Sequence, residues 1–251
     1  MTKAIITKHL NAVVLSGRKQ YTVFEDWLDI CDASLRMLPQ HALSIAATGK
    51  VAEDPDDIKA TWARLNQTYK AADWQHLHAA FHALLELTNE NIERWGAADH
   101  ATPPAFNWDV IGNIYEEFNM ASAHAGQFFT PWHLAVTTAY PTVYGETLAT
   151  IAARPEPLRI LDPACGSGVM LLAAAACLPR EAIRRGLVEF WGNDIDPICV
   201  KMARLNMALY GLNRWGRMWR DAGIVLEAMA TERDSELVAD VELPSGQLSL
   251  L

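Results

Sequence analysis

The feature that most constrains the fold is a glycine turn, Asp162-Pro163-Ala164-Cys165-Gly166-Ser167-Gly168, which separates two apolar segments. A short apolar run at residues 158–161 precedes the turn, and a helical run at 169–178 follows it. Two glycines let the backbone turn tightly and approach a ligand closely, and the start of the following helix offers free N–H groups. We therefore predict a strand–turn–helix unit whose turn binds a ligand.

The same order of elements occurs a second time. An apolar run at 187–191 ends in a turn at Gly192, and a helical pattern covers 197–210. Strands that alternate with helices predict a parallel α/β sheet. Asp194 follows the second strand, where an acid commonly binds ribose hydroxyls, and Asp196 before Pro197 has the pattern of a helix N-cap.

The first half of the chain has a helical pattern and no strand pattern before residue 157. We predict one helix from residue 22 that ends at Pro39, another that starts at Asp54-Pro55, and a third over 73–95. Residues 213–220 are interpreted as a third strand, and beyond about residue 229 the chain is acidic and polar. The predicted domains are a helical domain at 1–122, an α/β domain at 123–229, and an acidic tail or last strand at 230–251.

Charge and composition limit the classes of function. The net charge is −9, with 30 acidic and 21 basic residues, whereas a chain that binds DNA alone usually carries a basic stripe. Any DNA contact is therefore expected to come through a partner or a local patch. The four cysteines show no metal-binding spacing, so we predict reduced thiols in or near the core and no metal site. No secretory signal and no membrane span is recognisable, which predicts a cytoplasmic protein.

Four segments together resemble one known family. The glycine turn is similar to the DPACGSG motif of adenine-N6 DNA methyltransferases, especially the modification subunits of type I restriction systems. The segments 109–116 (DVIGNIYE), 126–131 (GQFFTP) and 203–211 (ARLNMALYG) resemble three further motifs of that family. They occur in the family's order.

The resemblance implies a Rossmann-like methyltransferase domain that uses S-adenosylmethionine, with an incomplete parallel sheet and an all-α domain before it. It also implies roles for individual residues, with Asp194 on the ribose hydroxyls, Ile195 on the adenine ring and Asp221 near the adenine amino group. The methionine end of the cofactor would be held by the loop and by the segment before the sheet: Asp162, Pro163, Ala164, Gly166, Gly168, Phe128, Thr130 and Pro131.

The sequence departs from the family where the catalytic loop is expected. Active members carry an Asn-Pro-Pro-aromatic loop that orients and stacks the target adenine. Here the one Pro-Pro pair is Pro103-Pro104, and residues 240–246 (DVELPSG) have neither the amide nor the aromatic. We therefore expect a sheet that is cut short, and no catalytic residue is assigned.

Two functions follow from the resemblance and its departure. The first is an S-adenosylmethionine-dependent adenine-N6 DNA methyltransferase that reaches DNA through a partner subunit. The alternative is a non-catalytic cofactor-binding scaffold or regulatory subunit, with a protein partner for its helical domain. A methyltransferase for a substrate other than DNA has no positive support in the sequence.

Overall fold

The computed structural model describes residues 2–97, 107–118 and 129–212. The first of these ranges is entirely helical apart from its turns. It contains four helices, α1 (Thr2–Leu15), α2 (Gln20–Thr48), α3 (Asp56–Thr68) and α4 (Ala71–Ala97). Three shorter helices lie before the sheet, α5 (Val110–Glu117), α6 (Trp132–Val143) and α7 (Leu148–Ala152). The helical first half predicted from the sequence is therefore confirmed.

The second half contains a β–α–β unit. Its elements are β1 (Leu158–Asp162), α8 (Val169–Ala176), α9 (Arg180–Arg184), β2 (Val188–Gly192) and α10 (Pro197–Leu209). The two strands are parallel, with Leu158 opposite Val188 and Asp162 opposite Gly192. Both strands therefore end at the same edge of the sheet, as predicted for an incomplete parallel α/β sheet. The strand predicted at 213–220 and the strand-like segment at 240–246 lie outside the described residues.

One N-terminal helix was missed, and one prediction about another was wrong. Helix α1 was not predicted, although Ile6, Leu10 and Val13 are spaced on one face and are fully buried. Helix α2 does not end at Pro39 but continues to Thr48. A proline inside a helix leaves the carbonyl of residue i−4 without its N–H donor. Because Pro39 is exposed, water can replace that donor, and the helix continues.

The helices and the β–α–β unit share one hydrophobic core. Tyr210, directly after α10, stacks on Trp108 with ring centroids 4.7 Å apart and an interplanar angle of 16°. The Tyr210 hydroxyl donates to the Trp108 carbonyl at 2.8 Å and accepts from Asn91 Nδ2 of α4 at 2.9 Å. Elsewhere in the core, Phe24 of α2 packs against Tyr115 of α5, with ring centroids 5.7 Å apart. Most of the buried hydrophobic residues form one cluster that extends from α1 to Leu212, and Ala33, Met37 and Ile58 form a second, smaller cluster.

Ion pairs join α2 to α10 at the surface of this core. Lys201 Nζ lies 2.7 Å from Asp29 Oδ1 and 3.3 Å from Glu25 Oε1, and Arg204 pairs with Asp32. The acidic residues of α2 are therefore neutralised in part by α10. Much of the acidic excess on this helix serves contacts within the chain.

The remaining chemical predictions concern cysteines, metals and membranes. All four cysteines are free and buried, which confirms the predicted reduced thiols. Within 2–97, 107–118 and 129–212, no group of three or more His, Cys, Asp or Glu residues could hold a metal ion. No helix in these ranges is both long enough and apolar enough to cross a membrane.

Candidate functional site

The glycine loop after β1 adopts a backbone that its two glycines make accessible. Gly166 has φ +53° and Gly168 has φ +86°, both in the left-handed region. Space is also limited, because a Cβ on Gly168 would lie 3.1 Å from Met207 Cε and 3.2 Å from Ala203 Cβ. Glycine at 168 therefore satisfies the backbone turn and lets the loop pack closely on α10.

The end of β2 holds the loop in place. The Cys165 N–H donates to the Asn193 carbonyl at 2.8 Å, and the Gly166 N–H donates to Asp194 Oδ2, also at 2.8 Å. The other oxygen of Asp194 accepts from the Asp196 N–H at 2.9 Å. Asp194 is therefore placed by its own loop and in turn fixes the glycine turn.

Asp196 has a separate role, as the sequence pattern predicted. Its side chain accepts from the Ile198 N–H at 3.0 Å and caps α10, in which Pro197 is the first residue. The two neighbouring acids of the second turn thus divide their tasks. One binds the glycine loop and the other begins a helix.

A second carboxylate lies at the end of β1. Asp162 Oδ1 accepts from the Ala164 N–H at 3.1 Å. Burial, and to a smaller extent the charge of Asp194, raise the pKa of Asp162, while the Ala164 hydrogen bond opposes the shift. Because like charges at short range destabilise each other, a positively charged ligand group beside Asp162 would stabilise the pair.

The residues of the site differ in their exposure to solvent, and a ligand can touch only the exposed ones. Asp162 is half-buried, and Pro163 and Ala164 are exposed. Ile195 is 76% exposed, whereas the adjacent Asp194 is only 9% exposed. The exposed Ile195 side chain could pack against a flat ring of a ligand, while the adjacent Asp194 carboxylate could accept hydrogen bonds from its hydroxyl groups. The predicted loop and strand-end residues are therefore brought together at the carboxyl edge of the sheet.

The segment before α6 also reaches the glycine loop. A Cβ on Gly166 would lie 2.9 Å from Cε1 of the Phe129 ring, which itself packs against Tyr115 with centroids 5.4 Å apart. Thr130 and Pro131 follow and are exposed, and Pro131 is the N-cap residue of α6. Phe129 was not among the predicted site residues, although it lies in the segment that resembled the family. Phe128 and Asp221 lie outside the described residues.

A buried polar network lies beneath the loop, and the sequence did not assign it a role. The Ser167 hydroxyl donates to Asp109 Oδ2, and Asn206 Nδ2 donates to Asp109 Oδ1 and to the Ser167 carbonyl, both at 2.8 Å. The Gly112 N–H also donates to Asp109 Oδ1 at 2.8 Å. All three polar side chains are buried. Asp109, Gly112 and Asn206 belong to the segments that resembled the family, and that resemblance was the available signal.

A cavity of about 420 Å³ borders this site without containing it. It runs along β1 between α6 and α8, and its lining includes Asp162 and Pro163 at one end. Gly166, Asp194 and Ile195 do not line it. The carboxyl edge of the sheet and this cavity are therefore neighbouring features that meet at Asp162.

Comparison with known proteins finds similarity to one family in the region that contains the site. Residues 107–224 match the family model described as N-6 DNA Methylase. The methylase subunit of the type I restriction enzyme MjaIX of Methanocaldococcus jannaschii is 30% identical over 108 residues, which are 41% of this chain and 17% of that subunit. The HindI methylase subunit of Haemophilus influenzae is 27% identical over 127 residues, 45% of this chain and 26% of that subunit.

A solved structure is also similar. The type I restriction-modification methyltransferase subunit from Streptococcus thermophilus aligns with a TM-score of 0.43 and 15% identity, over 87% of this chain and 57% of that one. The matched region spans 17% and 26% of the two methylase subunits and 57% of the solved chain, so this chain covers only part of each. The resemblance predicted from the sequence motifs is confirmed by the family model and the two methylase subunits. Residues 107–224, somewhat less than half of this chain, are therefore similar to the N-6 DNA methylase family.

Proposed function

We propose that this chain is an S-adenosylmethionine-dependent DNA methyltransferase of the adenine-N6 type, acting with a partner subunit. The observation that carries the proposal is the glycine loop, whose Gly166 N–H is held by Asp194 at the carboxyl edge of a parallel sheet. In such sheets ligands bind at this edge. The loop lies within the segment that matches the N-6 DNA methylase family.

The residues present fit this cofactor. Each carboxylate oxygen of Asp194 already accepts one backbone N–H, and each retains a lone pair that could accept a ribose hydroxyl. Ile195 would pack on the adenine ring, because its side chain is largely exposed beside that carboxylate. When bound, S-adenosylmethionine supplies a methyl group on a positively charged sulfur.

The methionine end would lie over the glycine loop. Asp162 would face the cofactor's ammonium group, and a cation there would relieve the repulsion between Asp162 and Asp194. Thr130 and Pro131 would border the same end, since Phe129 beside them contacts Gly166. The loop residues Pro163, Ala164 and Gly168 complete this set, and Phe128 and Asp221 are retained from the family resemblance.

DNA recognition is assigned to a partner. The net charge of −9 does not favour binding to DNA phosphates by this chain alone. The relatives are subunits of restriction enzymes, and this chain covers 17% to 26% of the two described above. We propose that a partner supplies the basic groove and the Asn-Pro-Pro-aromatic loop, and that the helical part at 1–122 contacts that partner. The α/β domain would span 123–229, the tail 230–251, and the complex would act in the cytoplasm.

The first experiment measures the Kd of S-adenosylmethionine for the native chain by isothermal titration calorimetry. Asp194→Ala removes two charge-assisted hydrogen bonds from the site, so we expect the Kd to rise at least about tenfold. Asp196→Ala is the matched control, because it removes an acid two residues away that caps α10. It should lower Tm while changing the Kd by less than about twofold. No binding by the native chain, or an unchanged Kd in Asp194→Ala, would contradict the proposal.

A second experiment separates the enzyme from the scaffold. Transfer of labelled methyl to unmethylated DNA is measured with the native chain alone and with the other subunits of a type I enzyme. Label in adenine under either condition supports the methyltransferase. Retention of the cofactor without transfer under both conditions would favour the non-catalytic alternative.

A further inference from the structure

Ser167 is held from outside the glycine loop. It stands between the two left-handed glycines, is fully buried, and uses both its hydroxyl and its carbonyl on neighbouring elements. The hydroxyl donates to Asp109 Oδ2 at 2.5 Å, and the carbonyl accepts from Asn206 Nδ2 at 2.8 Å. Glycines restrict their neighbours weakly, so these partners determine where Ser167 lies.

Asp109 joins three elements at one point. Its carboxylate caps α5 through the Gly112 N–H, contacts the loop through Ser167, and contacts α10 through Asn206. The contact is close. A Cβ on Gly112 would lie 2.3 Å from Asp109 Oδ2 and 2.6 Å from Ser167 Oγ. Glycine at position 112 is therefore what allows α5 to approach the loop.

We propose that Asp109 is a positioning residue for the glycine loop, which it holds through Ser167 in the geometry needed to bind the cofactor. The inference rests on the proposed function, because it takes that loop as the S-adenosylmethionine site. Asp109 itself need not touch the ligand. Its effect passes through a loop whose other anchor, Asp194, belongs to the proposed site.

The charge of Asp109 is stabilised mainly by hydrogen bonds, so its effect on the loop should depend on them. Burial raises the pKa of Asp109 to about 6, against the opposing effect of hydrogen bonds from Ser167, Gly112 and Asn206. Glu116 of α5 adds to the rise, and the Tyr210 phenol, directly after α10, also interacts with the Asp109 carboxylate. No Lys or Arg forms a salt bridge with Asp109 in the described part of the chain. The three donors therefore stabilise the charge, and alanine would remove their common acceptor.

The test compares the Kd of S-adenosylmethionine among variants of the full chain. Asp109→Ala should raise the Kd at least about tenfold, as expected when a buried charged acceptor is lost, and Asp109→Asn should recover part of the affinity because it keeps the shape. Tyr210→Phe is the control. It removes a buried hydrogen bond to the neighbouring Trp108 carbonyl, so it should lower Tm and change the Kd by less than about twofold.

Ser167→Ala gives the same test from the other side of the contact. If Asp109 acts through Ser167, the double variant should bind no more weakly than the weaker single variant. Ser167→Ala alone also serves if Asp109→Ala does not fold. Equal losses of affinity in Asp109→Ala and Tyr210→Phe would overturn the inference, because both would then reflect general destabilisation.

Amide hydrogen exchange of residues 165–169 distinguishes this inference from the proposed function. If the native chain does not bind S-adenosylmethionine, the proposed function fails, and the exchange data still decide whether Asp109 orders the loop. Faster exchange there in Asp109→Ala than in Tyr210→Phe supports the positioning role. Equal exchange in the two variants would refute it.

Discussion

Replacing Gly112 with alanine tests whether the contact of α5 with the glycine loop is as close as the structure shows. Alanine is favoured over glycine within a helix by about 1 kcal/mol, so propensity alone predicts a more stable protein. Sterics predict the reverse, since the added Cβ would lie 2.3 Å from Asp109 Oδ2 and 2.6 Å from Ser167 Oγ. Overpacking costs about 1–3 kcal/mol, and loss of the buried Ser167 hydrogen bond costs a similar amount.

The steric effect should therefore exceed the gain in propensity. We expect Gly112→Ala to lower the free energy of unfolding by about 2–3 kcal/mol, which corresponds to a fall in Tm of roughly 5–10 °C. Urea denaturation followed by circular dichroism gives the free energy, and a thermal scan gives Tm. A Tm equal to or above that of the native chain would refute the packing argument.

A double-mutant cycle identifies the source of the loss. In an Asp109→Ala background the carboxylate that the new Cβ would meet is gone, and only the Ser167 hydroxyl, which can rotate, remains close. In that background, the loss of unfolding free energy caused by Gly112→Ala should be smaller than in the native chain by at least about 1 kcal/mol. An unchanged cost would show that the conflict lies elsewhere in α5.

Three further outcomes are expected. Pro39→Ala restores the N–H that the Leu35 carbonyl lacks in α2. The free energy of unfolding should therefore rise by about 1–3 kcal/mol, and Tm should rise with it. A lower Tm would contradict this reading of an exposed, unstrained site. Asp109 has a folded pKa of about 6 against an ordinary 3.8, so its protonation stabilises the fold as pH falls from 6 to 4. The free energy of unfolding of the native chain, relative to that of Asp109→Asn, should rise by roughly 2 kcal/mol between pH 7 and 4. Two parallel stability profiles would show that Asp109 does not titrate this way. Asp194→Asn should lower the pKa of Asp162 in a carboxyl NMR titration, whereas no change would place the two charges too far apart to interact.

The β–α–β unit could be predicted from local patterns because each of its parts has a local cause. The turn at 162–168 requires glycines, and the cap of α10 requires Asp196 and Pro197 in adjacent positions. Such requirements involve only nearby residues along the chain. For the same reason the predicted bounds of both strands and both helices differ by at most a few residues from those observed.

The missed features depend on distant contacts or on exposure. Helix α1 has the spacing of an amphipathic helix, but its apolar face is buried only because it packs against α4, a contact that the local sequence does not show. Whether Pro39 ends a helix depends on solvent access, which the sequence does not state. The partners of Asp109 are 58 and 97 residues away along the chain, so only the motif resemblance connected them in advance.

The hydrogen bond between Asn91 and Tyr210 has a consequence for synthesis of the chain. The two residues are 119 positions apart, and ribosomes add about 5–20 residues per second, so Tyr210 follows Asn91 by roughly 6–24 s. Until Tyr210 is made, the Trp108 ring lacks one of the rings against which it packs, and the acidic residues of α2 lack Lys201. The nascent N-terminal helices therefore expose apolar and charged surfaces until α10 emerges.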